Sequence, residues 1–180
     1  MTDALMYTYP SPLEGFRGAS PLSEELSEDG NSYKSHTPEK PSLAYTQFTG
    51  GIVNSARGGF DIHVYYQQRD EYERNFAKEL CERVRREFPE LRVHRLYETP
   101  VGPHTTAMFE VNVFTPQQFG AFIPWLVIHR GPLSTLIHPN TDDEYRDHTQ
   151  RSIFMGPAVP LYLRMFKHIG QKKQEENSKT

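Results

Sequence analysis

The chain has little of several things that would assign it quickly. One cysteine, Cys81, in 180 residues rules out an internal disulfide framework and any zinc site built on paired thiolates. Compact metal signatures such as HExxH or CxxC are missing as well, so any metal site has to be assembled by the fold. Positive charge is not in excess. The 20 Lys and Arg stand against 23 Asp and Glu, a net charge of −3, which argues against the basic surface on which nucleic-acid affinity rests. The local cluster Arg83-Val84-Arg85-Arg86 lies among acids on a helix and reads as a solvated face. The longest apolar run, Phe119 to Ile128, is broken by Gly120 and Pro124 and is too short to cross a bilayer. Asp3 stands where a secretory signal needs positive charge, and no apolar stretch follows it. The expectation is a soluble cytoplasmic protein without a membrane or nucleic-acid partner.

What is present divides the chain in three. Residues 1–57 are rich in Pro, Ser, Glu and Gly without sustained periodicity, the composition of an extended or disordered arm. Residues 58–166 hold the regular patterns, and residues 167–180 read as a solvated tail carrying His168, as the arm carries His36. Phe60, Ile62, Val64 and Tyr66 alternate with Asp61, His63 and Tyr65, the period of a half-buried strand. A helix follows from Asp70 to Phe88 on the stripe Tyr72, Phe76, Leu80 and Val84, with Cys81 as a small packing residue beside it. Strands are expected over Leu91–Tyr97, Thr105–Phe114 and Leu133–His138. Before the last of these, Thr115-Pro116-Gln117-Gln118 starts a second helix with an N-cap, a first-turn proline and a capping-box glutamine, and Pro124 predicts a kink within it. Asp142 to Phe154 reads as loop plus a short helix, and Leu161 to Phe166 as an added edge strand.

The order βαββαβ is that of an α+β, ferredoxin-like fold: a four-stranded antiparallel sheet ordered 4-1-3-2 with two helices on one face. Histidines fall at its strand edges and turns, at His63, His104, His129, His138 and His148. If strands one and three run parallel, the starts of both and the end of strand four share one sheet edge, which gathers His63, His104, His138 and Glu98. Side-chain alternation puts His63 and His138 on the face away from the helices. Imidazoles delivered by separate strands are how a small fold builds an open metal site.

The segments Phe60-Asp61-Ile62-His63-Val64-Tyr65-Tyr66, Gly102-Pro103-His104, Arg130-Gly131-Pro132-Leu133-Ser134, His138-Pro139-Asn140-Thr141 and Asp147-His148 together resemble the DOPA-dioxygenase family in its fungal branch. The resemblance implies extradiol cleavage of a catechol such as L-DOPA by dioxygen, between ring carbons four and five, to a muconic semialdehyde-type product of the kind used in betalain pigments. It implies a ferrous ion on His63, His104 and His138, with Glu98 or Glu110 as an added carboxylate; zinc is the alternative, since histidine-rich sites also take it. His148, oriented by Asp147, or His94 would move protons. Arg130 would pair with a substrate carboxylate, and His129 and Tyr65 would contact substrate. His129 stands where the family carries Asn, and Phe154 where it carries Trp, departures that bear on the substrate. Competing functions are a different catechol, a non-catalytic small-molecule-binding or homodimerising module, and RNA recognition on the same topology, which Glu110 and the net charge disfavour.

Overall fold

A computed structural model of the chain describes residues 9–34, 40–53 and 58–166; His36, His168 and the 167–180 tail lie outside them. Two compact units separate at Ser42 and Leu43. The described part of the first holds a 3-10 turn, Glu14–Phe16, and a reversal in which Leu26 bridges Tyr33. Asp29 fixes that reversal by accepting the Asn31 and Ser32 amides. Its apolar side chains Tyr9, Leu13, Phe16 and Leu22 are all exposed, so the described part of this unit has no core of its own.

The second unit begins ahead of the boundary expected near Arg57. Phe48 packs against Phe60 and meets Phe119 edge-on, and Val53 N–H donates to Asn140 O. Strand β1 (Phe60–Tyr66) follows, preceded by Gly59 at φ +75, where a Cβ would meet Val113 O at 2.0 Å; only glycine fits. Helix α1 (Glu71–Glu87) starts where Asp70 accepts the Tyr72 and Glu73 amides, and it stops ahead of Pro89. Strands β2 (Arg92–Val93) and β3 (Ala107–Val113) come next. Helix α2 (Pro116–His129) is capped by Thr115. The Gln118 side chain closes that start by accepting from Phe114 N–H, one residue earlier than a capping box requires. Strand β4 (Thr135–Pro139), helix α3 (Glu144–Asp147) and strand β5 (Ile153–Met155) complete the unit. Among the described residues no helix is long and apolar enough to cross a membrane.

The sheet is ordered β2-β3-β1-β4-β5: the four expected strands in the expected order, with a fifth outside β4. That fifth strand is Ile153–Met155 rather than Leu161–Phe166; Leu161 makes a single bridge to His104, and residues 164–166 are helical. Strand two is also shorter than Leu91–Tyr97, because the chain leaves the ladder after Val93 and returns at the Tyr97–Met108 bridge. One geometric expectation is overturned. Strands β1 and β3 pair antiparallel, Phe60 opposite Val113 and Tyr66 opposite Ala107, since the α1 crossover makes β1 and β2 parallel with β3 inserted between them. The start of β3 therefore lies at the far end of β1 from His138, and so does the chain before Glu98, where Tyr97 O accepts from the Tyr66 hydroxyl at 3.3 Å.

Alternation divides the sheet into two faces. Ile62, Val64, Tyr66, Phe109, Val111, Val113 and Ile137 pack under Ala77, Leu80, Cys81 and Val84 of α1 and Phe122 and Leu126 of α2, so both helices cover one face. Tyr65, Met108 and Leu136 point the other way, into a second apolar cluster with Tyr97, Phe154, Val159 and Leu161. Each large side chain buried in the first cluster contributes about 1.5–3 kcal/mol. Phe109, fully buried there, should on replacement by Ala lower the unfolding free energy by about 3–5 kcal/mol. Urea denaturation would measure it, and a loss well under 1 kcal/mol would contradict this core.

Candidate metal centre

On the face away from the helices, β1 presents Asp61 and His63 two residues apart, and β4 presents His138 directly opposite Asp61. Both imidazoles are thus carried on central strands, the least mobile part of the fold. His104 arrives by another route than a shared edge. Gly102, at φ +58, turns the β2–β3 connection back over the sheet, His104 N–H donates to Val101 O, and the following chain clasps the loop. Tyr162 N–H donates to Pro103 O, and Thr105 Oγ1 donates to Pro160 O. His148 caps the C-terminal end of α3. Its neighbour Asp147, buried, does not touch it through a hydrogen bond. Asp147 accepts from Thr141 N–H and Oγ1 and from Arg151 Nη1, a knot that fixes the path of the chain after β4 and so sets where His148 stands.

Four imidazoles meet as a result. Ring centroids are 4.0 Å apart for His63 and His104, 4.0 Å for His138 and His148, and 5.1 Å for His63 and His138. Two sets have ligand atoms all within 4.8 Å of one another: His63, His104 and His148, and Asp61, His63 and His138. His63 belongs to both, while the expected trio of His63, His104 and His138 is split between them. The Nε2 atoms of His63 and His138 are 3.0 Å apart. Two nitrogens bound to one ion at ~2.1 Å each and at right angles stand about 3.0 Å apart, so this spacing fits a shared ion.

The other ring nitrogens fit as well. Metal-ligating histidines nearly always use their second nitrogen on an oxygen acceptor, which fixes the tautomer. His138 Nδ1 is 3.0 Å from Pro139 O and His148 Nδ1 is 2.8 Å from Glu144 O. Carbonyls only accept, so both rings carry the proton on Nδ1 and keep an Nε2 lone pair. His104 Nδ1 is held at 2.7 Å by the Tyr65 hydroxyl. Burial holds all four in the neutral, ligand-competent form. It lowers His63 and His138 below the usual imidazole range, His104 to about 3 and His148 to about 4, and the neighbouring imidazoles push His63, His104 and His148 further the same way.

Beside the cluster a cleft of about 310 Å³ is lined by Asp61, Arg92, His94, Glu110, Asn112 and Phe114. Burial raises the carboxyl pKa of both Asp61 and Glu110. Asn112 Nδ2 donates to Asp61 Oδ1 at 2.6 Å and to Glu110 Oε1 at 2.7 Å. Its Oδ1 must then accept from His94, whose Nε2 is 2.8 Å away. Arg92 lies over the Phe114 ring at 4.9 Å. A larger hollow of about 590 Å³ between α1 and β2 holds no histidine.

The remaining expected residues fall elsewhere. His129, at the end of α2, stacks on Trp125 at 4.4 Å on the helix-covered side, so the sheet stands between it and the four imidazoles. Arg130 donates to Leu133 O and Gly131 O, tying the turn between α2 and β4. Tyr65, expected to touch substrate, is spent on His104. Asp61 was missed, although its spacing from His63 already put the two on one face. Asn112, two residues from Glu110, carried the same signal.

These features agree with what the chain is similar to. It is 53% identical over 180 residues, covering 96% of this chain and 98% of the relative, to an uncharacterized 21.2 kDa protein of Botryotinia fuckeliana. It is 32% identical over 117 residues to a protein of Amanita muscaria named DOPA 4,5-dioxygenase, covering 62% of this chain and 51% of that one. A crystal structure described as a candidate dioxygenase from Nostoc punctiforme superposes with a TM-score of 0.54 at 28% identity, covering 72% of this chain and 99% of the other. A profile of the Dopa 4,5-dioxygenase family matches residues 60–165, the segment that carries all four clustered histidines. The chain belongs to the Dopa 4,5-dioxygenase family, and that membership supports a dioxygenase.

Proposed function

We propose that the protein is an extradiol dioxygenase that opens a catechol such as L-DOPA between ring carbons four and five, both atoms of dioxygen entering the semialdehyde product. The observation that carries this is the cluster of His63, His104, His138 and His148, three of them already held by an oxygen at Nδ1. One ferrous ion would sit among these imidazoles. When bound it supplies a redox-active centre where catechol and dioxygen meet, which zinc, having no redox chemistry, does not.

The chain's own residues do the rest. Tyr65, the Asp147 knot and the clasped His104 loop hold the imidazoles in place. In the adjoining cleft, His94 gives its Nε2–H to Asn112 and keeps Nδ1 as an acceptor, which suits it to take a catechol proton. Arg92, rather than the structurally engaged Arg130, is the arginine of that cleft and the partner for a substrate carboxylate. Tyr97, Phe154, Val159 and Leu161 pack on Tyr65, Met108 and Leu136 of the same sheet face and would limit water beside the site.

Anaerobically purified protein loaded with ferrous iron should consume oxygen with L-DOPA or another member of a catechol panel and form a coloured ring-opened product. No uptake with any catechol would sink the proposal. Each of His63→Ala, His104→Ala, His138→Ala and His148→Ala should lose metal and ring cleavage, read by metal analysis and oxygen uptake, while circular dichroism stays that of the parent. His129→Ala should leave both within about twofold, because it lies across the sheet; loss of metal in that variant would contradict the placement.

Acid provides a separate check on the metal-free protein. The four imidazoles titrate lower folded than unfolded, so the unfolded chain binds more protons in between, and stability rises with pH across that window. Their contribution is intact above the unfolded value, ~6.5, and falls away as pH drops toward the folded values, about 4 for His148 and about 3 for His104. Melting temperature should therefore decline from pH 6.5 to 4, and the decline should be shallower in His148→Ala.

A further inference from the structure

His63 is the odd member of the cluster. Its Nδ1 is buried with no hydrogen-bond partner, whereas the other three rings have theirs. The tautomers explain why. His138 keeps its proton on Nδ1, against Pro139 O, so the 3.0 Å contact between the two Nε2 atoms requires His63 to donate from Nε2. That leaves the His63 Nδ1 lone pair toward Glu110 Oε2, at 3.8 Å, too far for a hydrogen bond. With the carboxylate ionised, neither of these two atoms has a proton to share.

An ion that takes the Nε2 lone pairs of both rings removes this arrangement. His63 then has to carry its proton on Nδ1, where Glu110 is already waiting. We infer that Glu110, held by Asn112, is a positioning residue that receives His63 Nδ1–H when metal binds and so fixes the metal-binding tautomer. The pairing is set by the sheet: His63 and Glu110 are directly opposite in the β1–β3 register. Glu110 has little freedom to leave, since its other oxygen is bonded to Asn112 Nδ2 at 2.7 Å. Asn112 is in turn locked between Asp61 and His94. Outer-shell carboxylates of this kind raise ligand basicity, and their loss costs ~10–100-fold in metal affinity.

This inference rests on the metal reading above, and its test separates the two. Zn(II) serves as probe for nitrogen-15 NMR of the imidazoles, and Co(II) competition against a chelator gives affinity. On adding Zn(II) to the parent protein, the His63 proton should move from Nε2 to Nδ1. Glu110→Gln should bind Co(II) about 10–100-fold more weakly with the melting temperature of the metal-free protein unchanged. If the parent binds neither ion, the metal reading fails first. If the parent binds metal and His63 keeps its proton on Nε2, or Glu110→Gln binds as tightly as the parent, the role of Glu110 is overturned alone. The NMR readout needs only the parent protein, so a Glu110→Gln chain that does not fold leaves the test intact.

Discussion

The antiparallel pairing of β1 with its two neighbours is the constraint on which the rest depends. It sets Asp61 opposite His138 and Asn112, and His63 opposite Leu136 and Glu110. Because alternate side chains leave opposite faces of a strand, the same seven residues that seal the helix-side core with Ile62 and Val64 deliver Asp61, His63 and Tyr65 to the other side. A slip of one residue would exchange the two sets. The packing of Ile62 and Val64 under α1 and α2 therefore protects the register of the histidines.

Two of the four imidazoles are rigidly placed by that ladder, and two are brought to it by loops. His104 depends on Gly102, Val101 and the clasp from residues 160–162, and His148 on the Asp147 knot. Loop residues held by a few hydrogen bonds adjust more readily than strand residues. The site thus joins a fixed half and an adaptable half, the arrangement in which an ion can draw its ligands to their preferred distances.

Burial keeps the cluster neutral, and neutrality makes it useful. Four imidazoles this close could not all carry charge without strong repulsion, and desolvation already disfavours protonation. The result is a set of lone pairs in a sheltered layer, next to a cleft whose carboxylates are bridged by one amide. The position of the raised carboxyls of Asp61 and Glu110 beside depressed imidazoles is the kind of contrast that marks functional sites.

The amino-acid order by itself determined the first four strands and the two long helices, their order around β1, the Thr115 cap and the sidedness of His63 and His138. The elements, the cap and the sidedness follow from local periodicity or chemistry within a few residues, and the strand order from the βαββαβ sequence of elements. The family was legible in the same way, from short segments around the histidines. Only tertiary structure decided the direction of β3 relative to β1, the short β2, the fifth strand at Ile153–Met155 and the removal of His129 from the site. The same holds for the folding back of the His104 loop, which depends on a contact between residues far apart in the chain, Thr105 with Pro160, and for the joining of His148 to the cluster, which depends on how the chain turns back after β4. Periodicity says which way a side chain faces; only the closed fold says what it meets.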